Sequence, residues 1–285
     1  MNRVKNNYRF NQCPLCTSEA IYCMGKITYL KPTKFSTIEI DLEFVPELWK
    51  CKQCLSAFVL NIIQEGIAKK LYTNGLAGDR WSMQKFNQNK MQNVVEYMED
   101  AFNNKCRILD IGSNTGELLD FAKNFGCNTV GLEFSSSSRE ILINKGHEAY
   151  SSFGEIEGKF DFITAFDLVE HLYDVPNFLR TCHKKLSKNG KLVILTGNIR
   201  SLSALLAGPN WWYSKYPEHI VFPSIKYFSS HSGFNIEKII QTFASKGYRH
   251  SFFQLAKGIL SSIRRMKYNG LPSIGPDHSL IVLRK

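Results

Sequence analysis

The chain has 285 residues, of which 44% are hydrophobic, 13% aromatic and 21% charged. This composition excludes a disordered tail protein and a coiled coil, and it predicts a globular chain of one large or two unequal domains. The formal net charge is +11, but residues 241–285 hold 8 basic and 1 acidic side chains, whereas the middle of the chain is nearly neutral. A basic surface is therefore expected only near the end of the sequence.

The first residues, MNRVKNNYRFNQ, contain no apolar run typical of a signal peptide, and no segment approaches the roughly 18 apolar residues of a membrane span. We therefore expect a cytoplasmic protein. In that reducing compartment the 8 cysteines are not expected to form disulfides, so regularly spaced cysteines indicate a metal site or catalysis.

Four cysteines near the amino terminus are spaced as two pairs, C-x2-C-x34-C-x2-C. Cys13 and Cys16 form the first pair, and Cys51 and Cys54 form the second. Two such knuckles supply the four thiolates that tetrahedral Zn²⁺ prefers and leave no position for a substrate. We therefore predict structural zinc in a small zinc-ribbon-like module over residues 1–62. The other cysteines are predicted to be small core residues: Cys23, Cys106, Cys127 and Cys182.

Residues 63–104 are predicted to form a helical connector. Apolar side chains recur between Met83 and Phe102 at close to the helical period of 3.6, which indicates an amphipathic helix. We expect this helix to lead into the next domain and to cover part of its ligand cleft.

From residue 105 onwards, short apolar runs alternate with helical stretches. This alternation predicts right-handed crossovers and an α/β fold with a doubly wound, mostly parallel seven-stranded sheet. Such sheets bind ligands beyond the carboxyl ends of their strands. The predicted strands are Arg107–Ile111, Thr129–Phe134, Glu148–Ser151, Phe160–Phe166, Lys191–Thr196, Phe234–Ile240 and His278–Arg284, and the intervening helices are predicted to end at Gly126, Gly146 and Gly190.

The first predicted strand of this domain runs into a glycine loop, Asp110-Ile-Gly112-Ser-Asn114-Thr-Gly116. Glycines let the backbone turn sharply and approach a ligand, and Glu133, after the second strand, can accept both hydroxyl groups of an adenosine ribose. A dinucleotide site requires G-x-G-x-x-G, whereas Asn114 stands at the place of the second glycine. The motif therefore favours S-adenosylmethionine over NAD, with Asp110 placing the ammonium end of the cofactor.

Three motifs follow one another along residues 106–240: DIGSNTG, VGLEFS and FDFITAFDLVEHL. They resemble the glycine, acidic-strand and fourth-strand motifs of class I S-adenosylmethionine-dependent methyltransferases. This resemblance implies a Rossmann-like methyltransferase domain over residues 105–285 with a helical insertion at 241–275. The predicted cofactor contacts are Asp110, Gly112, Ser113, Asn114, Gly116, Glu133, Phe134, Phe153, Phe166 and Asp167.

A narrower resemblance involves the cysteine module, which ends in WKCKQC, and the sequence Tyr216-Pro-Glu218-His219. Together with DIGSNTGELL, these features resemble bacterial deoxysugar C-methyltransferases, in which a zinc module precedes the methyltransferase domain. The resemblance implies a catalytic set of His219, His171, Tyr216, Glu218 and Tyr72. The chain ends where those enzymes continue into a further domain, and we therefore rank O-methylation ahead of C-methylation.

Methyl transfer from a sulfonium is an in-line displacement, so the protein mainly orients the nucleophile. A sugar hydroxyl benefits from a histidine base, whereas a carbon nucleophile also requires donors that hold an enolate. Two of the assignments have structural alternatives. His171 can line the cofactor pocket, and Trp211 and Trp212 can bury the helix predicted at Pro223–Ser232 rather than cover a ligand.

Residues 251–268 are predicted to form a basic amphipathic helix. This helix can pack on the sheet, attract an anionic substrate or contact a membrane surface. An rRNA or tRNA methyltransferase is the main rival function, but the wide cysteine spacing and the nearly neutral middle of the chain argue against a nucleic-acid partner.

The function expected from the sequence is O-methylation of a small anionic acceptor, most readily a nucleotide-linked sugar of surface-polysaccharide or secondary-metabolite biosynthesis. C-methylation of a keto-deoxysugar is the closest alternative. A non-catalytic scaffold is disfavoured because Asp110, Glu133 and His171 are all present.

Overall fold

The structure, a computed structural model, describes residues 2–5, 7–29, 32–35, 38–74, 92–102, 105–242 and 275–285. Its strands are β1 Asn2–Val4, β2 Asn7–Arg9, β3 Ile21–Lys26, β4 Thr33–Phe35, β5 Ile38–Leu42, β6 Glu47–Cys51, β7 Ala57–Val59, β8 Asn61–Ile63, β9 Arg107–Ile111, β10 Asn128–Leu132, β11 Glu148–Tyr150, β12 Phe160–Phe166, β13 Leu186–Gly197, β14 Val221–Phe222, β15 Asn235–Thr242 and β16 His278–Arg284. Its α-helices are α1 Glu65–Asn74, α2 Gln92–Phe102, α3 Glu117–Asn124, α4 Ser136–Asn144, α5 Val175–Lys185, α6 Leu202–Ala207 and α7 Ile225–His231.

The largest sheet has seven strands in the order β11-β10-β9-β12-β13-β16-β15. Neighbouring strands run parallel except for β16, which is antiparallel to both β13 and β15. Consecutive residues such as Ile108 and Leu109, or Val193 and Ile194, belong to two different hydrophobic clusters. The sheet is therefore covered on both faces, which explains why its strands read as continuous apolar runs. The predicted doubly wound α/β fold is confirmed.

Glycines end two of the helices as predicted. Gly126 and Gly146 follow α3 and α4 with φ values of 75° and 79°, a conformation that glycine adopts without strain. The third predicted end was wrong, because α5 stops at Lys185 and Gly190 lies within β13. There the backbone passes so close to β12 that a Cβ at Gly190 would lie 2.8 Å from the Phe160 carbonyl oxygen.

The amino-terminal part contains three small sheets: β1-β5-β4, β14-β7-β6-β3 and β2-β8. Strand β14 comes from much later in the chain, yet it pairs with β7 through Val221 opposite Phe58 and Phe222 opposite Ala57. Two parts of the sequence that were predicted as separate domains therefore share one sheet. The boundaries at 62 and 104 remain a prediction.

Four cysteines outside the spaced pairs were predicted to be core residues. Cys106, Cys127 and Cys182 are buried, but Cys23 is exposed on β3, so the expectation was wrong for that residue. Strand β3 is the edge strand of its sheet, and none of its residues is buried.

Two predicted helices fall wholly or partly outside the described residues. The connector helix predicted from Met83 to Phe102 is observed as α2 over Gln92–Phe102, and residues 83–91 lie outside the described part. The basic helix at 251–268, with nearly all of the insertion at 241–275, also lies outside it. Among the helices that the structure describes, none is long and apolar enough to span a membrane.

Gly197, at the carboxyl end of β13, provides a test of this packing. A Cβ there would overlap the Tyr213 ring and lie 2.8 Å from Trp211. We expect Gly197→Ala to lower the free energy of unfolding by about 1–3 kcal/mol, measured by urea denaturation, because the rings must move. Gly66→Ala is the control, since no atom lies within 4 Å of the added methyl group. In helix α1 this change should stabilise by about 0.5–1 kcal/mol; equal effects of the two changes would contradict the packing.

Candidate active site

The glycine loop connects β9 to α3. Gly112 and Gly116 have φ values of 75° and 83°, and Asn114 also lies in the left-handed region at 47°. The Gly112 N–H donates to the Leu132 carbonyl oxygen (2.8 Å), which ties the loop to the end of β10. A Cβ at Gly116 would lie 2.5 Å from Leu142, so glycine is required there. The loop therefore leaves the carboxyl end of β9, an inner strand of the sheet, where ligands bind in such folds.

Asp110 lies within β9 just before this loop and is 6% exposed. Its carboxylate accepts a hydrogen bond from Thr164 Oγ1 (2.6 Å). Burial raises the pKa of Asp110 to about 7, although the Thr164 hydrogen bond acts in the opposite direction. A cation nearby would stabilise the charged form, so this carboxylate suits the ammonium group that the sequence assigned to it.

Glu133 follows β10 and faces the loop. Its Oε2 accepts from the Asn114 N–H (3.0 Å) and its Oε1 from the Ser135 N–H (2.9 Å). These bonds fix the plane of the carboxylate, and each oxygen keeps acceptor capacity for a ribose hydroxyl. Arg139 Nη1 donates to the carbonyl oxygens of Glu133 and Phe134 (2.7 Å each), and the Phe134 ring, 78% exposed, is accessible to a stacking partner.

The remaining predicted cofactor contacts differ in their surroundings. Ser113 Oγ is buried, and no described residue hydrogen-bonds to it, so it can pair with a bound ligand. Phe153 packs edge-on against Phe178, with ring centroids 6.5 Å apart, and Phe166 packs against the smaller hydrophobic cluster. The loop, the carboxylates of Asp110 and Glu133 and the orphaned Ser113 hydroxyl fit S-adenosylmethionine. The individual contacts stay predictions.

Asp167 ends β12 beside the glycine loop. A Cβ on Gly112 would lie 3.3 Å from the next side chain, Leu168, so the two segments adjoin. Asp167 has φ 47°, which is strained for a residue other than glycine, and its N–H donates to the Leu195 carbonyl oxygen (2.8 Å). Its Oδ1 accepts a hydrogen bond from the Tyr213 hydroxyl (2.9 Å).

Glu170 is a functional candidate that the sequence interpretation missed. It is fully buried, its Oε2 accepts from Thr196 Oγ1 (2.9 Å), and its Oε1 contacts the Tyr213 hydroxyl. Burial raises the pKa of Glu170, and the nearby Asp167 carboxylate adds to the effect. The Tyr213 hydroxyl therefore lies between the Asp167 and Glu170 carboxyl groups, within hydrogen-bonding distance of both.

His171 is oriented by a backbone carbonyl group. Its Nδ1 lies 3.0 Å from the Glu218 carbonyl oxygen and 3.3 Å from the Tyr72 hydroxyl. A carbonyl oxygen only accepts, so Nδ1 carries a proton and Nε2 holds the lone pair of the neutral ring. Tyr72 comes from α1, 99 positions earlier in the chain. The structure thus brings three of the predicted catalytic residues together.

His219 has the same arrangement. It is 6% exposed, and its Nδ1 lies 2.7 Å from the Tyr213 carbonyl oxygen, which again leaves the lone pair on Nε2. Burial, followed by the nearby His171, lowers the pKa of His219 well below its usual value. The two imidazole rings meet edge to face, with centroids 4.6 Å apart. Two imidazoles whose Nε2 atoms have no hydrogen-bond partner among the described residues therefore lie side by side.

Most aromatic side chains of the loop before His219 are buried in the protein core. Trp211 and Tyr213 are buried against Phe222, with ring centroids 6.0 and 6.5 Å away, whereas Trp212 is only partly buried. Tyr216 is 5% exposed and packs edge-on against Phe44 (6.4 Å). The Trp211 and Tyr213 rings therefore fill the core beside the site, and their partner Phe222 belongs to β14 rather than to the helix that follows it.

The two cysteine pairs form one cluster. Their four sulfur atoms lie within 4.8 Å of one another, with Cys13 Sγ 3.7 Å from Cys54 Sγ and Cys16 Sγ 3.6 Å from Cys51 Sγ. Zn–S bonds of about 2.3 Å place tetrahedral thiolates about 3.8 Å apart, so the spacing fits zinc. Each knuckle closes in the same way: the Thr17 N–H donates to the Cys13 carbonyl oxygen, and the Leu55 N–H donates to that of Cys51.

A family model described as a methyltransferase domain matches residues 83–238, more than half of the chain. The chain belongs to this methyltransferase-domain family. The match confirms the class predicted from the three motifs, an S-adenosylmethionine-dependent methyltransferase.

Several curated relatives match part of this methyltransferase. The ubiquinone biosynthesis O-methyltransferase of Bradyrhizobium diazoefficiens is 33% identical over 110 residues, covering 35% of this chain and 44% of the relative. The enzyme of the same name from Pseudomonas aeruginosa is 24% identical over 114 residues, covering 35% and 48%. The chain thus spans less than half the length of these relatives.

Solved structures share the fold. A chain from the complex of the Haloferax volcanii Trm112 methyltransferase activator with a methyltransferase superposes with a TM-score of 0.50 at 12% identity, covering 73% of this chain and 96% of the other. The superposition supports a common fold. Sequence identity this low supports no conclusion about function.

Cofactor affinity should depend on the ionisation of Asp110. Because burial raises its pKa to about 7, the carboxylate is neutral at lower pH and cannot pair with the ammonium group. We expect the affinity for S-adenosylhomocysteine, measured by calorimetry, to fall about tenfold for each pH unit below 7. Asp110→Asn should bind weakly at every pH in this range; an unchanged pH dependence in that variant would remove Asp110 from the cofactor site.

Proposed function

We propose that this methyltransferase transfers the methyl group of S-adenosylmethionine to a hydroxyl oxygen of a small-molecule acceptor, with His219 as the base. The observation that carries this proposal is the pair of imidazoles, His171 and His219, each held through Nδ1, with no hydrogen bond from a described residue to either Nε2. The segment of His171 adjoins the glycine loop through Leu168, and the segment of His219 is joined to Asp167 through the Tyr213 hydroxyl.

S-adenosylmethionine supplies an electrophilic methyl group, and the protein orients the acceptor and receives its proton. Burial keeps the His219 ring neutral, so its Nε2 lone pair is available to a proton, and its Nδ1–H is already held by the Tyr213 carbonyl oxygen. His171 is partly exposed, so a proton can pass from the buried ring towards solvent through it. Tyr72 and Tyr216 line the side of this pair that faces the cysteine module.

The proposed acceptor is a nucleotide-linked sugar. The support is the combination of a four-cysteine module with the Tyr216–His219 segment, which resembles deoxysugar methyltransferases, and the placement of that segment beside Tyr72 and His171. The partial relatives named for ubiquinone biosynthesis give a second candidate, an acceptor of that pathway, and their names support O-methylation rather than C-methylation.

We also propose that Cys13, Cys16, Cys51 and Cys54 hold a structural zinc ion. Cys13, Cys51 and Cys54 are completely buried, and the thiols contact one another, which suits a cation that binds all four as thiolates. With no ligand position left over, this metal would stabilise the module and take no part in methyl transfer.

Replacement of the base tests the mechanism. His219→Ala should lower kcat by roughly 10²- to 10⁴-fold, because no other described group receives the proton at that position, while the dissociation constant of S-adenosylhomocysteine stays the same. The matched control is His231→Ala, which removes an exposed imidazole from α7. Loss of cofactor affinity in the His219 variant would instead make this residue part of the cofactor pocket.

A panel experiment identifies the acceptor. Methyl-labelled S-adenosylmethionine would be incubated with dTDP-, UDP- and GDP-linked hexoses, with phenolic acceptors of the ubiquinone pathway, and with transfer and ribosomal RNA. Mass spectrometry should show label on an oxygen of a nucleotide-linked sugar. Label on carbon, on a phenol or on RNA would each replace the proposed acceptor class by another.

Removing one ligand tests the metal site. We expect Cys51→Ser to leave less than one zinc ion per chain by elemental analysis and to lower the melting temperature, because three thiolates bind zinc more weakly than four. Cys23→Ser is the control, since Cys23 is exposed and outside the cluster. Stoichiometric zinc in the Cys51 variant would show that the ion is held elsewhere.

A further inference from the structure

A histidine outside the predicted catalytic set lies at the same end of the sheet. His278 is the first residue of β16, in register with Gly197 of β13 on one side and Thr242 of β15 on the other. Because β16 is antiparallel to β13, its first residue lies at the carboxyl end of β13, next to Asp167 at the end of β12. Its side chain is only 3% exposed.

The ring of His278 is fixed on every side. Nδ1 lies 3.0 Å from Asp277 Oδ1, and Nε2 lies 3.8 Å from Asp167 Oδ1. The ring stacks on Trp212 (5.7 Å between centroids) and meets the Tyr213 ring edge to face (4.6 Å). Trp212 Nε1 in turn donates to Asp277 Oδ2 (2.5 Å). A carboxylate faces each ring nitrogen, so a ring protonated on both nitrogens satisfies both partners.

The negative charge of Asp277 explains why this residue is paired with His278 in the protein interior. The Asp277 side chain is completely buried, and a buried carboxylate is tolerated only when it is paired. Burial by itself lowers the pKa of His278, but Asp277, Asp167 and Glu170 outweigh burial and raise it. The other titratable groups around the ring are Tyr213 and His219, and the nearby His219 is held neutral by burial.

The Asp277–His278 pair faces Asp167, a residue with a strained backbone conformation. Asp167 has φ 47°, and its side chain is 58% exposed towards the site. Its Oδ1 receives the Tyr213 hydroxyl at 2.9 Å and faces the His278 imidazole, so among the described residues both contacts fall on the same oxygen. Oδ2 is thereby presented to a bound ligand at the end of β12, beside the glycine loop.

We propose that Asp277 and His278 form a positioning pair that holds Asp167 in place, and that Asp167 Oδ2 accepts a hydrogen bond from a second donor group of the acceptor, next to the hydroxyl that is methylated. This inference rests on the proposed methyl transfer. It assigns a specificity role to Asp167, which the sequence placed among the cofactor contacts, and it names the acceptor class as a vicinal diol or amino alcohol. Hexoses meet this requirement.

The first test needs no acceptor. Protein labelled with ¹⁵N-histidine should show both ring nitrogens of His278 protonated at about pH 7.5, where an ordinary histidine with a pKa of about 6.5 is neutral. The signal is assigned from its loss in His278→Gln. Asp277→Asn and Asp167→Asn should each move this signal towards the neutral ring. A neutral His278 ring in the unchanged protein, or no response to Asp167→Asn, would overturn the proposal.

The second test separates positioning from a purely structural role. With methyl-labelled cofactor and the dTDP-, UDP- and GDP-linked hexose panel, Asp167→Asn and His278→Gln should each lower kcat/KM up to about 100-fold. The double variant should be no worse than Asp167→Asn alone, because His278 acts through that carboxylate. Losses that multiply would overturn the proposal. The dissociation constant of S-adenosylhomocysteine should stay the same, and His231→Gln is the control.

The choice of acceptor gives a third readout. A hexose whose neighbouring hydroxyl is replaced by hydrogen should lose kcat/KM with the unchanged protein and lose nothing further with Asp167→Asn; equal losses in both proteins would remove Asp167 from acceptor recognition. If no panel member is methylated, the proposed function fails. The NMR result then still decides whether the pair holds Asp167.

Discussion

The backbone of Ile220 connects the parts of this methyltransferase. Its N–H donates to the Glu170 carbonyl oxygen (2.8 Å), and its own carbonyl oxygen accepts from the Val59 N–H (2.8 Å). One peptide segment is therefore bonded on one side to the segment that follows β12 and on the other to the sheet of the cysteine module. His219 precedes this residue, so the proposed base sits where the two parts meet.

The same connection extends to the cysteine cluster. After Ile220 the chain forms β14 and then reaches Ser224, whose hydroxyl donates to the Cys54 carbonyl oxygen (2.5 Å) and whose N–H donates to Ser56 Oγ (2.9 Å). Ser224 also caps α7 by accepting from the Tyr227 N–H. The second knuckle is thus hydrogen-bonded to the segment that follows His219. The proposed zinc ion would lie in contact with this segment's partners and away from the proposed base.

Much of the fold could be predicted from local patterns. Strands β9, β12 and β16 begin and end where the apolar runs indicated, and Gly126 and Gly146 end helices, because burial on both faces and positive φ leave direct marks on residue choice. Prediction failed where a neighbouring strand decided the outcome. Gly190 lies within β13 beside Phe160, and Cys23 is exposed on an edge strand whose residues are all at least partly exposed.

The amino-acid sequence by itself determined the glycine loop, the acidic residue after β10, the spacing of the four cysteines and the Glu-His pair, since each depends on residues close together in the chain. The tertiary structure decided which side chains face one another. Tyr72 meets His171, Tyr213 joins Asp167 to Glu170, and His278 reaches Asp167, over separations in sequence that no local pattern encodes. The physical reason is that the Glu218 carbonyl oxygen that orients His171, and the Asp167 carboxylate that faces His278, come into range only when distant segments of the chain pack together.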